Sequence, residues 1–468
     1  MLPTLPLLCK TSMSNDVTAP FPATDTRAAS ILARPYRGTT IGMVALVALI
    51  AFEALAVAAA MPTVAQALDG LRLYGLAFGG ALATSVIGMT LAGRLCDQRG
   101  PARPLWLGLG CFLLGLVVAG LAPRMGVLIA GRLLQGLGIG AIAVSLYVLV
   151  ARTYPTALQP KVFAAFSAGW VVPSLVGPGL SGWIVQHLGW RWVFLAVPLL
   201  AVPAAVLVAP ALRNLVPSKA PAVIRPVVRW ALGTAAAALL LYLGGQQQGT
   251  LAIAVMLPAL AVLVLCSRQL LPAGTLMLKR GLPSVIALRG IAASAFFGCE
   301  AFLPLLLQRE RDLSPVWAGA ALSLGALGWF SGSWLQGHQQ RGWTRRQLLQ
   351  AGAWMMCVGI LMTSLALQQG VPLALALIGW TLTGLGMGLI YPSLSVLTLS
   401  LSEPHEQGAN SSALQLSEAA AVAGTLALSG SMFAMFVGGR ETLGYLLCFA
   451  VTLVLALLTT VVARRATG

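Results

Sequence analysis

Long apolar runs recur along almost the whole chain, from Gly42 to Val462. A helix needs about 20 mainly apolar residues to cross the ~30 Å hydrocarbon core of a bilayer, and many of these runs reach that length. Only 9% of the 468 residues are charged, whereas a soluble protein carries roughly 25%. The runs therefore predict an all-α polytopic membrane protein, because the short alternating segments of a β-barrel are not visible.

The apolar runs divide into fourteen predicted spans, so that both ends of the chain are expected on one side of the membrane. The spans cover residues 40–62, 74–95, 104–122, 126–150, 162–185, 191–209, 229–244, 250–267, 283–307, 316–336, 347–367, 371–397, 409–434 and 442–463. With the N-terminus inside, 22 of the 29 Lys and Arg residues fall in inner segments, Arg289 among them, and six in outer segments. Only Arg132 is assigned to a span. The positive-inside rule then predicts that both termini are cytoplasmic.

The net charge of +17 does not indicate a nucleic-acid partner, because the basic residues occupy short loops on alternate sides of the predicted spans. The seven cysteines include no CxxC pair, and most lie within apolar runs. Neither a metal site nor a disulfide framework is predicted from such spacing. The lipid bilayer is the expected environment.

Charge and apolar patterning divide the chain into four parts. One of them is an insert that contains two short apolar runs joined by the uncharged "GGQQQG". Basic clusters flank the insert on both sides, which predicts a hairpin through the membrane. The parts are a disordered cytoplasmic tail at 1–37, a six-helix bundle at 38–211, a linker with two extra helices at 212–280, and a second six-helix bundle at 281–468.

The first span of each six-helix bundle carries one acid followed by a proline. Glu53 precedes Pro62 in one, and Glu300 precedes Pro304 in the other. Each acid is the only one in its span. Transporters built from repeated halves place the binding site between the halves near the membrane midplane, so the repeat predicts a site there.

The loop after the second span reads "GRLCDQRG", with Gly93, Asp97, Arg99 and Gly100. It resembles the signature loop of the major facilitator superfamily, although Pro101 and Ala102 stand where two basic residues are usual. A glycine turn and charges that bridge helix ends are the roles this resemblance implies for the loop. A plain basic loop is the alternative interpretation.

Two further motifs resemble the same family. "GRLLQGLGIGA" matches its fourth-helix motif through Arg132 and Gln135, which lie one turn apart on one helix face. "PSLVGPGLSG" matches the fifth-helix motif of its exporters, with the matching residues Pro173, Gly177, Pro178 and Gly182. "GWRWVFLAVP" and the acid nine residues before Pro62 resemble the fourteen-helix drug:proton antiporters, although Leu55 and Ala58 replace a Thr and an Asn of that branch.

The resemblance implies a cavity between the bundles, lined by the first, fourth and seventh helices of the twelve-helix core. Glu53, Arg132 and Glu300 are then expected at similar depth in one aqueous pocket, with Gln135 beside them. Glu418 is a third candidate acid on the eleventh core helix. An acid inside a span indicates function by default, and Glu53 is the expected proton carrier because no predicted span contains a histidine. A structural ion pair with Arg132 is the alternative for Glu53.

The function implied is secondary active export, in which inward proton movement drives efflux of small amphipathic or cationic compounds. Export of a lipid or a secreted metabolite is the alternative. A non-transporting membrane sensor belongs to a different class and has no supporting feature, and an enzyme is not expected because no nucleophile–base or metal cluster is visible. The expected protein works as a monomer in the inner membrane of a bacterium, with a proton gradient and no cofactor.

Overall fold

A computed structural model describes residues 30–70, 73–213, 225–245, 247, 249–338, 342–436 and 441–466. Most of the predicted tail at 1–37 lies outside these residues. The described residues contain α-helices, turns and one short 3₁₀ segment, and no strand. The helices are α1 (Arg37–Ala67), α2 (Tyr74–Arg99), α3 (Ala102–Gly120), α4 (Met125–Thr153), α5 (Gln159–His187), α6 (Arg191–Arg213), α7 (Arg225–Gly244), α8 (Gly249–Leu270), α9 (Leu282–Arg309), α10 (Pro315–Gly337), α11 (Arg345–Ser364), α12 (Leu373–Ser400), α13 (Gln407–Ala434) and α14 (Glu441–Ala466).

Twelve helices in the described part of the chain are long and apolar enough to cross a membrane, and α5 makes a thirteenth if its two bent parts form one span. Helix α10 is outside this set. The prediction of an all-α polytopic membrane protein is confirmed. The count of fourteen spans is not confirmed, although fourteen helices agree with it roughly.

Two large apolar cores hold the helices together. One joins α1 to α6 through buried residues such as Phe112 and Phe194, and the other joins α9 to α14 through residues such as Trp380 and Tyr445. We call these two groups the first and second bundle. The proposed domain limits at 38–211, 212–280 and 281–468 stay predictions.

The bundles meet at one end of the molecule, which we call the first face: the end where α1 begins and α14 ends. The apolar core of the first bundle continues there onto Ile286, Leu399 and Leu414 of the second. Nearby, a Cβ added at Gly337 of α10 would lie 3.1 Å from the Cβ of Ala164 of α5. The first face is therefore closed by direct packing between the bundles.

Helices α7 and α8 form a hairpin with a small core of its own, built around Leu241 and Met256. The hairpin contacts both bundles. A Cβ at Gly79 of α2 would press on the ring of Tyr242 of α7, and Ser431 of α13 donates a hydrogen bond of 3.2 Å to the sulfur of Met256. The insert thus packs beside α2 and α13 instead of lying apart from the two bundles.

Glycines of α4 let it approach α2 more closely than larger residues would allow. A Cβ at Gly136 would meet the carbonyl oxygen of Ala81, and one at Gly140 would meet that of Ser85. Small residues commonly permit such contact between membrane helices. This approach brings the backbone of α2 within reach of the Arg132 side chain on α4.

Candidate functional site

Glu53 and Arg132 form a buried ion pair at the centre of the first bundle. Nη1 of Arg132 donates to Oε1 of Glu53 and, over 2.9 Å, to Oε1 of Gln135. The guanidinium Nε donates to the backbone carbonyl of Ala77 on α2, at 3.3 Å. Three of the predicted site residues, on α1 and α4, are therefore in direct contact.

The pair is sealed from solvent. The Glu53 side chain is 1% exposed and that of Arg132 is 7% exposed, and Gln135 is fully buried. In this conformation the packed helices leave these groups almost no exposed surface, and the aqueous pocket expected around them stays a prediction. Nε2 of Gln135 is buried without a hydrogen-bond partner, so the cluster retains one unused donor.

A second buried ion pair lies in the second bundle, and its arginine was missed from the sequence. Arg289 was assigned to an inner segment, but it lies inside α9 and its side chain has no exposure. Its Nε donates to Oε2 of Glu418 on α13 over 2.7 Å. Arg132 is therefore not the only arginine within a span; position 289, well inside the predicted span 283–307, was the available signal.

The remaining donors of Arg289 bind neutral groups on two other helices. Nη1 donates over 3.3 Å to the carbonyl of Tyr391 and to the hydroxyl of Ser395, both on α12. The guanidinium carbon lies 3.0 Å from the centroid of the Tyr391 ring. Nη2 donates over 3.3 Å to the hydroxyl of Tyr147 on α4. Arg289 thus connects three helices of the second bundle to α4 of the first.

Glu418 is a partly exposed member of this network. Its side chain is 19% exposed, and the hydroxyl of Tyr391 donates to its carboxylate over 3.1 Å. The carboxylate is held between Arg289 of α9 and Tyr391 of α12. Tyr147, Tyr391 and Ser395 carry no sequence motif that would have singled them out.

Glu300 belongs to neither pair. It lies on α9, and within the described residues its carboxylate has neither an ion pair nor a hydrogen bond. Phe297, one turn earlier on the same face, stands 6.2 Å from Trp329 of α10 between ring centroids. Trp329 in turn lies 5.0 Å from Tyr391. An aromatic wall therefore runs along the second bundle from Glu418 towards Glu300.

The five predicted cavity residues do not form a single cluster. Glu53, Arg132 and Gln135 meet in the first bundle, Glu418 pairs with Arg289, and Glu300 stands apart. Both ion pairs touch α4, through Arg132 and Tyr147, which are 15 residues apart and hence separated by ~22 Å along the helix axis. The shared depth of Glu53, Arg132 and Glu300 in one pocket stays a prediction, and Glu418 lies with Arg289 nearer the first face.

The signature loop joins the two bundles at the first face. Asp97 is 5% exposed, and its carboxylate accepts hydrogen bonds from the backbone N–H groups of Gly408 and Ala409, at 2.6 and 2.8 Å. These groups belong to the first turn of α13, where the helix dipole favours a negative charge. Gly93 lets the backbone of α2 approach Gly408, since a Cβ there would clash with its carbonyl.

The other residues of the signature loop lie at the end of α2. Arg99 is an exposed residue in the last turn of the helix. Gly100 has a φ of 76°, which favours glycine, and ends the helix. Arg152 of α4 reaches back over 3.4 Å to the carbonyl of Cys96.

The fifth-helix motif packs α5 against the helix that carries Glu53. Ser181 donates to the carbonyl of Ala56 over 2.7 Å, and a Cβ at Gly177 would lie 3.6 Å from the Cβ of Leu55. Helix α5 bends by 49° between Gly177 and Gly179. Pro173 is buried and Gly182 is exposed, while the side chain of Pro178 lies outside the described residues.

Among the described residues, no group of three His, Cys, Asp or Glu side chains is placed to hold a metal ion. The chemistry available is that of carboxylates, guanidinium groups and aromatic rings. Such groups bind and release protons or cations and need no covalent step.

Comparison with known proteins gives a consistent result. The sequence model described as Major Facilitator Superfamily matches residues 41–424. A probable multidrug-efflux transporter of Mycobacterium tuberculosis is 30% identical over 426 residues, which are 86% of this chain and 89% of that protein. The multidrug efflux pump SdrM of Staphylococcus aureus is 24% identical over 374 residues, 78% of this chain and 83% of the pump. The crystal structure of the human organic anion transporter MFSD10 matches with a TM-score of 0.68 at 15% identity, covering 92% of this chain and all of that one.

Proposed function

This chain belongs to the major facilitator superfamily and is a multi-pass membrane transporter, not an enzyme, and from that premise we propose that it is a proton-coupled exporter. Inward proton movement would drive efflux of small amphipathic or cationic compounds. The observation that carries the proposal is the sealed contact of Glu53 with Arg132 and Gln135. The names of the mycobacterial and staphylococcal relatives support efflux as the direction.

The chemistry of the Glu53 cluster suits an exchange of charge. Ionised Glu53 pairs with Arg132, and protonated Glu53 is neutral and leaves that guanidinium to Gln135 and the carbonyl of Ala77. A buried arginine without its acid is unfavourable, so uptake of a proton favours a rearrangement that hydrates the group. One carboxylate can thereby couple proton binding to a change of conformation.

The aromatic wall of the second bundle supports a small amphipathic substrate. Phe297, Trp329 and Tyr391 offer flat apolar surfaces, and cations bind favourably over aromatic rings. Glu300 stands at the end of this wall without a partner in the described structure. We propose it as the anchor for a positive group on the substrate.

Orientation and assembly complete the proposal. The first face would be cytoplasmic, with both termini there, because the basic residues concentrate in the loops of that side. The closed first face then corresponds to a state that opens to the outside. The protein would act as a monomer in the inner membrane of a bacterium, driven by a proton gradient without a cofactor.

The test is transport by the purified protein in sealed proteoliposomes. A fluorescent lipophilic cation serves as substrate, and a fluorescent phospholipid in parallel vesicles represents the lipid alternative. We expect an imposed pH gradient to move the cation uphill and a protonophore to stop it. Cation movement that does not depend on the pH gradient would contradict proton coupling. Movement of the phospholipid alone would favour lipid export instead.

A further inference from the structure

The Arg289 network joins the two bundles through a single hydroxyl group. Arg289, Glu418, Tyr391 and Ser395 all belong to the second bundle, and Tyr147 is the contribution of the first. The hydroxyl of Ser395 also lies 3.3 Å from that of Tyr147. Tyr147 is six residues before the end of α4, so the link is ~9 Å from the first face.

Solvent access within the network is unequal. The Arg289 side chain is fully buried, while Glu418 is 19% exposed. An arginine guanidinium is not deprotonated in proteins, so Arg289 keeps its charge. Glu418 is therefore the member of the ion pair that can take up a proton, and its carboxylate is the partly exposed side of the pair.

We infer that Glu418 is a second proton-binding site, and that Arg289 transmits its charge state to Tyr147 and so controls opening of the first face. The titratable or charged groups that contact the carboxylate are Arg289 from α9 and Tyr391 from α12. Tyr147 from α4 lies on the far side of Arg289. Asp97 of α2 sits at the first turn of α13, nine residues or more from Glu418.

The mechanism follows from the number of partners that Arg289 retains. With Glu418 ionised, the guanidinium is neutralised and its remaining donors hold α12 and Tyr147 together. A proton on a carboxylate oxygen removes that neutralisation and leaves a buried positive charge with only neutral acceptors and a ring. Parting of the bundles at Tyr147 admits water to Arg289, so protonation favours the open first face.

The inference rests on the proposed export function only for its biological meaning, since its test measures conformation. Spin labels are placed at Arg103→Cys on α3 and Arg346→Cys on α11, two exposed positions near the first-face ends of the two bundles. Cys9 and Cys111 are replaced by Ser to limit labelling of native thiols. Electron–electron distance distributions are then measured in lipid nanodiscs at pH 8 and pH 5.

We expect the ratio of long to short distances to rise on acidification, and Glu418→Gln to show about a 10-fold higher ratio than its parent at pH 8. Tyr147→Phe should raise the ratio at pH 8 by a smaller factor, because it removes the hydrogen bonds from Arg289 and Ser395 but leaves the charge of Arg289 paired with Glu418. The double variant Arg289→Gln/Glu418→Gln removes both charges, strands neither, and should return to short distances with a weaker response to pH.

A parent-like response of Glu418→Gln to pH would overturn the inference, and so would long distances in the double variant. Loss of fold is recognised separately, by gel filtration and by the melting temperature of each variant. Failure of proton-coupled transport would leave these distance changes intact, whereas failure of the inference would leave uphill transport intact. The two proposals are thereby distinguished.

Discussion

Each of the two bundles contains a buried arginine–glutamate pair in the described structure. The glutamate is the less exposed side chain in the first pair, and the arginine is the less exposed side chain in the second. In the first bundle Glu53 is the better sealed group, at 1% exposure, and Arg132 is 7% exposed. In the second bundle Arg289 has no exposure and Glu418 is 19% exposed. The first pair is thus almost fully buried in this conformation, whereas the carboxylate of the second pair is partly exposed.

The partners of the two arginines differ as well. Without its acid, Arg132 would keep only Gln135 and the carbonyl of Ala77. Arg289 would keep an aromatic ring and three oxygen acceptors. Loss of the carboxylate side chain should therefore cost more stability in the first bundle than in the second.

The largest effect is expected from Glu53→Ala, which removes the only acid paired with Arg132 in the described structure. An uncompensated buried charge lowers the free energy of unfolding by about 3–5 kcal/mol. The melting temperature of the detergent-solubilised protein should fall sharply. An unchanged melting temperature would mean that the ion pair is not formed in the protein as prepared.

Glu418→Ala should destabilise the protein less than Glu53→Ala, by about 1–3 kcal/mol, because Arg289 retains its other acceptors and the site is partly hydrated. Tyr391→Phe is the matched control, since it removes the hydroxyl donated to Glu418 and keeps the ring. Thermal melting of the three variants side by side measures the contrast. Equal losses for the two acid variants would remove the distinction between the pairs.

Asp97→Asn weakens the closure of the first face and touches neither pair. Two charge-assisted hydrogen bonds to the start of α13 become weaker, at a cost of about 1–2 kcal/mol. The protein should stay folded and cycle more slowly, and substrate affinity at equilibrium should stay within a few fold. Binding titrations and transport rates give the two quantities, and a large loss of affinity with normal cycling would count against this role.

Glu300→Gln should have the smallest effect on stability, within about 0.5 kcal/mol, because the carboxylate has no partner in the described structure. The substitution should act mainly on substrate binding. The KM for a monovalent organic cation should rise several-fold, while that for a neutral analogue stays unchanged. Equal changes for both substrates would rule out an anchor for positive charge.

The fold class could be predicted from local sequence, whereas the contact of Glu53 with Arg132, 79 residues apart, could be expected only through the family resemblance. Apolar runs of spanning length and a motif with an isolated acid are visible along the chain. The domain limits and the roles of the motif residues remain predictions, although Asp97 lies where a bridge between helix ends requires it.

The second pair could not be predicted because no motif of the family joins its two members. Arg289 and Glu418 are 129 residues apart, and no motif connects them to Tyr147. The count of basic residues on the two sides of the membrane also hid this pair, because it assigned Arg289 to a loop. Which arginine pairs with which acid depends on how α9, α12 and α13 pack, and periodicity alone does not determine that packing.

The central claim is that Glu53 couples proton movement to export, and Glu53→Gln in proteoliposomes tests it most directly. Glutamine keeps the shape and a carbonyl acceptor for Arg132, but it cannot take up a proton. The account predicts that uphill transport driven by a pH gradient is abolished, while downhill exchange and the melting temperature are largely kept. Uphill transport at the wild-type rate would contradict it, and lost transport together with a collapsed melting temperature would identify Glu53 as part of a structural ion pair instead.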